Sequence, residues 1–165
     1  LSQVHTKHPD KDLYFTEQWM GAPGDFAGDF SWHIAQLMIG APNNWCKTVL
    51  QWNLAADQNQ EPHTDRGGCD RCLGGITIQG DSVTRNPSYY VVAQSSKFIP
   101  TGSVRIGSTP AEGFGSVAYL RPDGVRVVLI QNQVDATREV AVSEGAESVT
   151  LSLAPGEVGT LVWPR

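Results

Sequence analysis

The chain has 165 residues, 40% of them hydrophobic and 18% charged, with 17 glycines, 10 prolines and a formal charge of −5. That composition suits one ordinary domain or two small ones sharing an interface, and it excludes a disordered segment. The acidic balance, with no Lys/Arg cluster, argues against a nucleic-acid partner, and no apolar run approaches the roughly 18 residues of a transmembrane span.

The first residues, Leu1-Ser2-Gln3-Val4-His5, lack a basic-then-apolar leader. Residues 1–9 read as a helical tail closed by His8-Pro9. His5 and His8 stand three apart, and without a third ligand they are expected to be solvated rather than to hold a metal. Leu13-Tyr14-Phe15 then reads as a short strand running into Glu17. Trp19 and the breakers Gly21-Ala22-Pro23-Gly24 follow, so Glu17 is expected where a strand ends and a loop begins. In sheets wrapped by helices, catalytic groups come from the carboxyl ends of strands. A lone carboxylate there is more often an ordinary surface side chain.

Phe26, Phe30, Ile34, Leu37 and Met38 recur at spacings of three and four, a helical stripe ended by Gly40 and Pro42. His33, inside this helix, reads as a packed or capping side chain. Lys47–Leu54 is a second strand, with Trp52-Asn53 near its carboxyl end. The step from Glu17 to Trp52, 52 − 17 = 35 residues, suits a strand, a helix and a parallel strand. Both strand ends then face one rim, which connects Glu17 with Trp52.

A long loop is expected from about 57 to 75, holding Pro62, His63 and Cys69-Asp70-Arg71-Cys72. Loops of this length are often functional. With Cys46 the chain has three cysteines, neither a disulfide framework nor a four-ligand zinc site, so no metal is expected. For Cys69 and Cys72 a local disulfide pinning the loop ranks first and two reduced thiols second. Redox or metal chemistry ranks last, because the flanking glycines place the pair in a loop rather than at a helix N-terminus. Ile76–Ile78 is a short strand. Asn86-Pro87 opens a helix with Asn as cap, a face of Tyr89, Val92, Ala93, Ser96 and Ile99, and a stop at Pro100.

From Pro100 the period changes. Six short β runs (103–107, 116–120, 126–131, 138–142, 148–153, 159–163) are separated by the turn signals Pro122-Asp123-Gly124, Glu144-Gly145 and Pro155-Gly156. This spacing predicts an antiparallel β-sandwich. Asp123 and Asp135 read as structural turn acids. The predicted division is 1–99, an α/β part, and 100–165, the sandwich.

Four motifs occur in order: Phe15-Thr16-Glu17-Gln18-Trp19; Val49-Leu50-Gln51-Trp52-Asn53-Leu54-Ala55; the stretch from Gly67-Gly68-Cys69 through Cys72 and Gly74 to Ile76-Thr77-Ile78; and Ser96-Lys97-Phe98-Ile99-Pro100 through Gly102-Ser103 to Arg105-Ile106. Together they resemble the C-terminal part of glycoside hydrolase family 30, the glucosylceramidase and β-1,6-glucanase group. The resemblance implies the last two βα units of a (β/α)8 TIM barrel in 1–99, joined to an antiparallel β-sandwich in 100–165. It implies hydrolysis of a β-linked glucoside or glucan with retention. Glu17 falls on the nucleophile, Trp52 on a tryptophan lining the sugar pocket with Asn53 beside it, Trp19 near the mouth, and His63 in the substrate-shaping loop. No cofactor is implied, and export to a secreted or periplasmic location is.

Retaining hydrolysis uses two carboxyl groups about 5–5.5 Å apart, one a nucleophile and one a proton donor. The family's donor Glu follows an Asn, and no Asn-Glu pair occurs in 1–165. The expected partner is therefore the N-terminal part of the barrel, on the same or another chain, and these residues alone are expected to be inactive. The competing expectation is a non-catalytic module that binds carbohydrate or holds a barrel together. A redox or zinc protein built on the CxxC is the remotest reading.

Overall fold

The computed structural model describes residues 1–163. By its contacts the chain divides into two compact units, 1–93 and 94–165.

The first unit begins with helix α1 (Ser2–Lys7), whose His5 is not free in solvent as expected. Its ring stacks on Trp45 at 4.1 Å between centroids. Strand β1 (Leu13–Gly21) follows. Helix α2 (Phe26–His33) starts at Asp25, whose carboxylate accepts from the Gly28 N–H. It continues as a π-helix (Ile34–Gly40) and a last helical turn α3 (Ala41–Asn43). The expected stop at Gly40 and Pro42 is thus overrun. The π turns end at Gly40, and Pro42 falls at the start of the last turn α3. Gly40 is needed there, since a Cβ would lie 2.9 Å from the Ala35 carbonyl oxygen. Of the stripe read from the sequence, Ile34, Leu37 and Met38 are buried, joined by Ile39, whereas Phe30 is half-buried and Phe26 is 53% exposed.

Strand β2 (Cys46–Trp52) pairs parallel with β1, completing a β-helix-β unit. The stretch expected to be a long plain loop carries more structure than its composition suggested. It begins inside strand β3 (Ala55–Asp57) and includes the short strand β4 (Cys72–Leu73), which pairs antiparallel with the end of β1. Strands β5 (Ile76–Gln79) and β6 (Ser82–Arg85) form a hairpin, and β3 runs parallel to β5. The hairpin turn at Gly80-Asp81 is a signal that a three-residue apolar run obscured.

Helix α4 (Pro87–Ser96) buries Pro87, Ser88 and Val91. The expected face is wrong: Tyr89 and Val92 remain about 40% and 38% exposed. The true inner face is small and partly hydroxylic, so apolar periodicity points to the other side. The side-chain amide of Asn86, expected to cap this helix, donates to the Gly74 carbonyl at 2.7 Å and to the Thr77 hydroxyl at 2.9 Å.

The second unit holds β7 (Val104–Ile106), β8 (Phe114–Leu120), β9 (Arg126–Asn132), β10 (Arg138–Glu144), β11 (Glu147–Leu153) and β12 (Val158–Trp163). They match the six runs read from the sequence. Four form an antiparallel sheet in the order β12-β9-β8-β7, and β10-β11 is a separate hairpin. Phe114 and Ile130 pack with Val140 and Leu153 between the layers. Val117, Val127 and Leu129 are also fully buried. Asn132, fully buried, donates to the carbonyls of Ala136, Leu153 and Ala154, so its burial is hydrogen-bonded throughout. Within the second unit, the Thr160 hydroxyl meets the backbone carbonyl and side-chain oxygen of Gln94. A cavity of about 610 Å³ opens between the layers, lined by Ala118, Val128, Ile130 and Val142 among others.

Candidate functional site

Glu17 lies inside β1, and the strand runs on to Gly21, so the expected strand end is four residues too early. The register explains the position. Phe15 pairs with Val49 and Gln18 with Gln51, leaving Thr16 and Glu17 opposite the single residue Leu50. Two residues facing one is a β-bulge, a device that bends a strand and re-aims a side chain next to active sites. The pairing that makes the bulge is set by a partner strand about 35 residues away, so no local pattern could reveal it.

Beyond the bulge, Trp19 pairs directly with Trp52. The rings belong to the exposed aromatic surface, at 38% and 50%. Two neighbouring indoles offer flat apolar faces and one N–H donor each. The Glu17 side chain is exposed and makes no hydrogen bond or ion pair among the described residues. Carboxylate and indole pair therefore share one short segment of a parallel strand pair.

Asn53 sits directly after Trp52, across a cis peptide, and is half-buried. Its carbonyl accepts from the Gly75 N–H at 2.8 Å, and its side-chain oxygen is buried without a partner among the described residues. Gly74 makes this close approach possible, because a Cβ there would lie 2.7 Å from the Ala56 nitrogen. His63 is exposed, and no hydrogen bond or ring contact joins it to Glu17, Trp19 or Trp52 among the described residues.

Beneath the strand pair, His33 is buried and its Nδ1 lies 3.0 Å from Gln51 Oε1. Burial holds the imidazole below its ordinary pKa, against smaller upward pulls from Gln51 and Asp29. A neutral ring donating from Nδ1 to the Gln51 carbonyl satisfies this geometry. The packed reading of His33 is the one the structure carries.

Cys69 and Cys72 are joined by a disulfide, and Cys46 is a buried free thiol. The residue that sequence reasoning passed over is Arg71, inside that bridge, whose guanidinium carbon lies 5.7 Å from the Trp19 ring centroid. Its only sequence signal was a cation between two cysteines. Among the described residues no cluster of His, Cys, Asp or Glu is arranged to hold a metal ion, and no helix is long and apolar enough to cross a membrane.

Residues 102–160 match the glycosyl hydrolase family 30 β-sandwich domain. The second unit thus carries a glycoside hydrolase family 30 β-sandwich domain, and the chain as a whole is similar to members of that family. An endo-1,6-β-D-glucanase of Aspergillus fumigatus is 40% identical over 139 residues, covering 80% of this chain and 27% of that relative. The lysosomal acid glucosylceramidase of Mus musculus is 26% identical over 178 residues, covering 100% of this chain and 34% of the relative. A solved endo-β1,6-glucanase superposes with a TM-score of 0.90 at 28% identity, over 99% of this chain and 38% of that one. The chain therefore spans about a quarter to a third of the length of these curated relatives.

Proposed function

We propose that these residues are part of a retaining β-glycosidase in which Glu17 is the nucleophile. The observation that carries the reading is the bulge that sets Glu17 beside the paired Trp19 and Trp52. On this reading residues 1–99 are the last two βα units of a (β/α)8 barrel and 100–165 the attached sandwich. The Glu17 carboxylate attacks the anomeric carbon, the bond to the leaving oxygen breaks, and a proton donor outside residues 1–165 protonates that oxygen. Water then cleaves the glycosyl ester and frees Glu17. Trp52 and Trp19 bear the C–H faces of the sugar, Asn53 positions the Trp52 end, and His63 borders the substrate loop. The hydrogen-bond donors that a nucleophilic carboxylate needs come from the same outside part, since none meets Glu17 within residues 1–163.

The substrate class is a β-linked glucoside or glucan, supported by relatives named as endo-1,6-β-glucanases and glucosylceramidases. A secreted, periplasmic or lysosomal setting fits the Cys69–Cys72 disulfide. A second reading, a non-catalytic carbohydrate-binding or structural module, draws on the family match being confined to 102–160, away from Glu17.

The test is a mechanism-based fluoro-glucoside incubated with the native-length protein, followed by peptide mass mapping. Covalent label on Glu17, and loss of turnover by about 10⁴-fold or more in Glu17→Gln, are expected. Label on another carboxylate, or turnover surviving in Glu17→Gln, overturns the assignment. Binding of sugar without any label favours the module.

A further inference from the structure

Arg71 is held from both sides. The disulfide closes the turn around it, its carbonyl accepts from the Ala22 N–H at 2.8 Å, and β4 pairs Cys72 with Gly21 and Leu73 with Met20. Its backbone is thereby locked to the end of the strand that carries Glu17 and Trp19. The side chain reaches back over the Trp19 ring. It passes so close to Gly21 that a Cβ there would lie 2.7 Å from Nη2 and 3.0 Å from Trp19 Cζ3.

The charge is unused. Arg71 is exposed, and among the described residues it forms no salt bridge, although the chain is acidic overall. An arginine over an indole keeps its five N–H donors in a fixed plane, and such a fork loses little rotamer freedom per hydrogen bond formed. A pyranose resting its C–H face on Trp19 turns its hydroxyls outward at the ring edge, within reach of a cation held over the same indole.

We propose that Arg71, pinned over Trp19 by the Cys69–Cys72 disulfide, is a substrate-binding residue that donates hydrogen bonds to a hydroxyl of a neutral sugar lying against Trp19. The proposal rests on the glycosidase reading and adds a residue that reading does not require. Arg71 contributes to holding the sugar rather than to the bond-breaking step, so its loss acts on KM and leaves kcat in place. The disulfide makes the contact conditional, because opening it frees the turn that fixes the Arg71 backbone.

Three variants of the native-length protein, Arg71→Met, Arg71→Lys and Gly21→Ala, are to be assayed on a soluble β-1,6-linked glucan, with Glu17→Gln alongside. Arg71→Met keeps the stem length and removes every donor. A KM raised about tenfold with kcat within twofold is expected, the scale of one hydrogen bond to a charged group. Arg71→Lys restores part of the loss, and Gly21→Ala, which displaces the guanidinium while leaving it present, raises KM by an intermediate factor. Treating the wild-type protein with dithiothreitol, confirmed by thiol titration, raises KM in the same direction and adds nothing in Arg71→Met. An unchanged KM in Arg71→Met, with Glu17→Gln inactive, overturns this inference and leaves the glycosidase reading standing. A fall of kcat in step with KM, together with an altered near-UV spectrum, also overturns it, since that is the mark of a structural arginine. Turnover retained in Glu17→Gln overturns the underlying reading instead.

Discussion

Two strand pairs in this chain treat apolar side chains in opposite ways. In the antiparallel pair β8–β9, Val117, Val127 and Leu129 are fully buried, and Ile130 packs in the layer beneath the hairpin. In the parallel pair β1–β2, Tyr14, Leu50 and Trp52 are each at least 50% exposed and Trp19 is 38% exposed. Among the described residues all the exposed large hydrophobics except Val104 and Val162 lie within 1–93. Parallel strands are ordinarily covered on both faces. A parallel pair that presents aromatics and one carboxylate to solvent marks either a ligand surface or a face that another element covers. The sandwich pair is organised for stability and the parallel pair for what it displays.

The comparison can be broken by substituting matched leucines. Leu129→Ala in β9 is expected to cost about 2–5 kcal/mol, the range for emptying a fully buried site. Leu50→Ala in β2, half exposed, is expected to stay within about 0.5 kcal/mol. Urea unfolding of both variants decides the matter, and equal costs would show that β1–β2 is buried in the native protein by a neighbour outside residues 1–163.

A smaller effect sharpens the description of the parallel pair. His33 is buried behind β2 and held below its ordinary pKa by burial, so the folded state favours the neutral ring. Its contribution is fully present above the unfolded value near 6.5 and is lost as pH falls through the lower folded value. Thermal unfolding scanned from pH 7 to pH 5 is expected to show a decline that His33→Gln flattens. An identical slope in the variant would mean that the imidazole is solvated.

The smallest effect belongs to the sandwich surface. Asp123 accepts from the Val125 N–H and pairs with Arg121, which together hold its carboxyl below the ordinary carboxylate value. The stabilisation is present above about pH 4 and lost as pH falls through the folded value. Asp123→Asn is therefore expected to lower the melting temperature slightly at pH 7 and not at all near pH 2. A loss that persists at pH 2 would assign the effect to turn geometry rather than charge. Asp123 lies in the exposed turn that joins β8 to β9, beyond their buried faces, so neither outcome disturbs them.

Much of the candidate site was legible from the chain itself. The apolar run before Glu17, the second run before Trp52 and the spacing between them were enough to expect a parallel strand pair, and β1 does pair parallel with β2, with Trp19 opposite Trp52. What stayed hidden has a common character. The bulge at Thr16-Glu17, the stacking of Arg71 on Trp19 and the contact of His33 with Gln51 each join residues far apart in sequence or depend on the register of a partner strand.

Sequence alone determined the β runs of the sandwich and their turns, because alternation and turn chemistry are local and their period is two. It also determined the helical stripe between β1 and β2, because Ile34, Leu37 and Met38 repeat at the helical period whatever packs against them. Only the tertiary structure decided that the helix runs through Gly40 as π turns and takes Pro42 into a further helical turn, that α4 buries Ser88 and Val91 rather than Tyr89 and Val92, and that Glu17 sits within a bulged strand rather than at its end. Each of these depends on which surface a neighbouring element offers. That choice is made when apolar area is buried and backbone groups are paired, and no window of ten residues contains both partners.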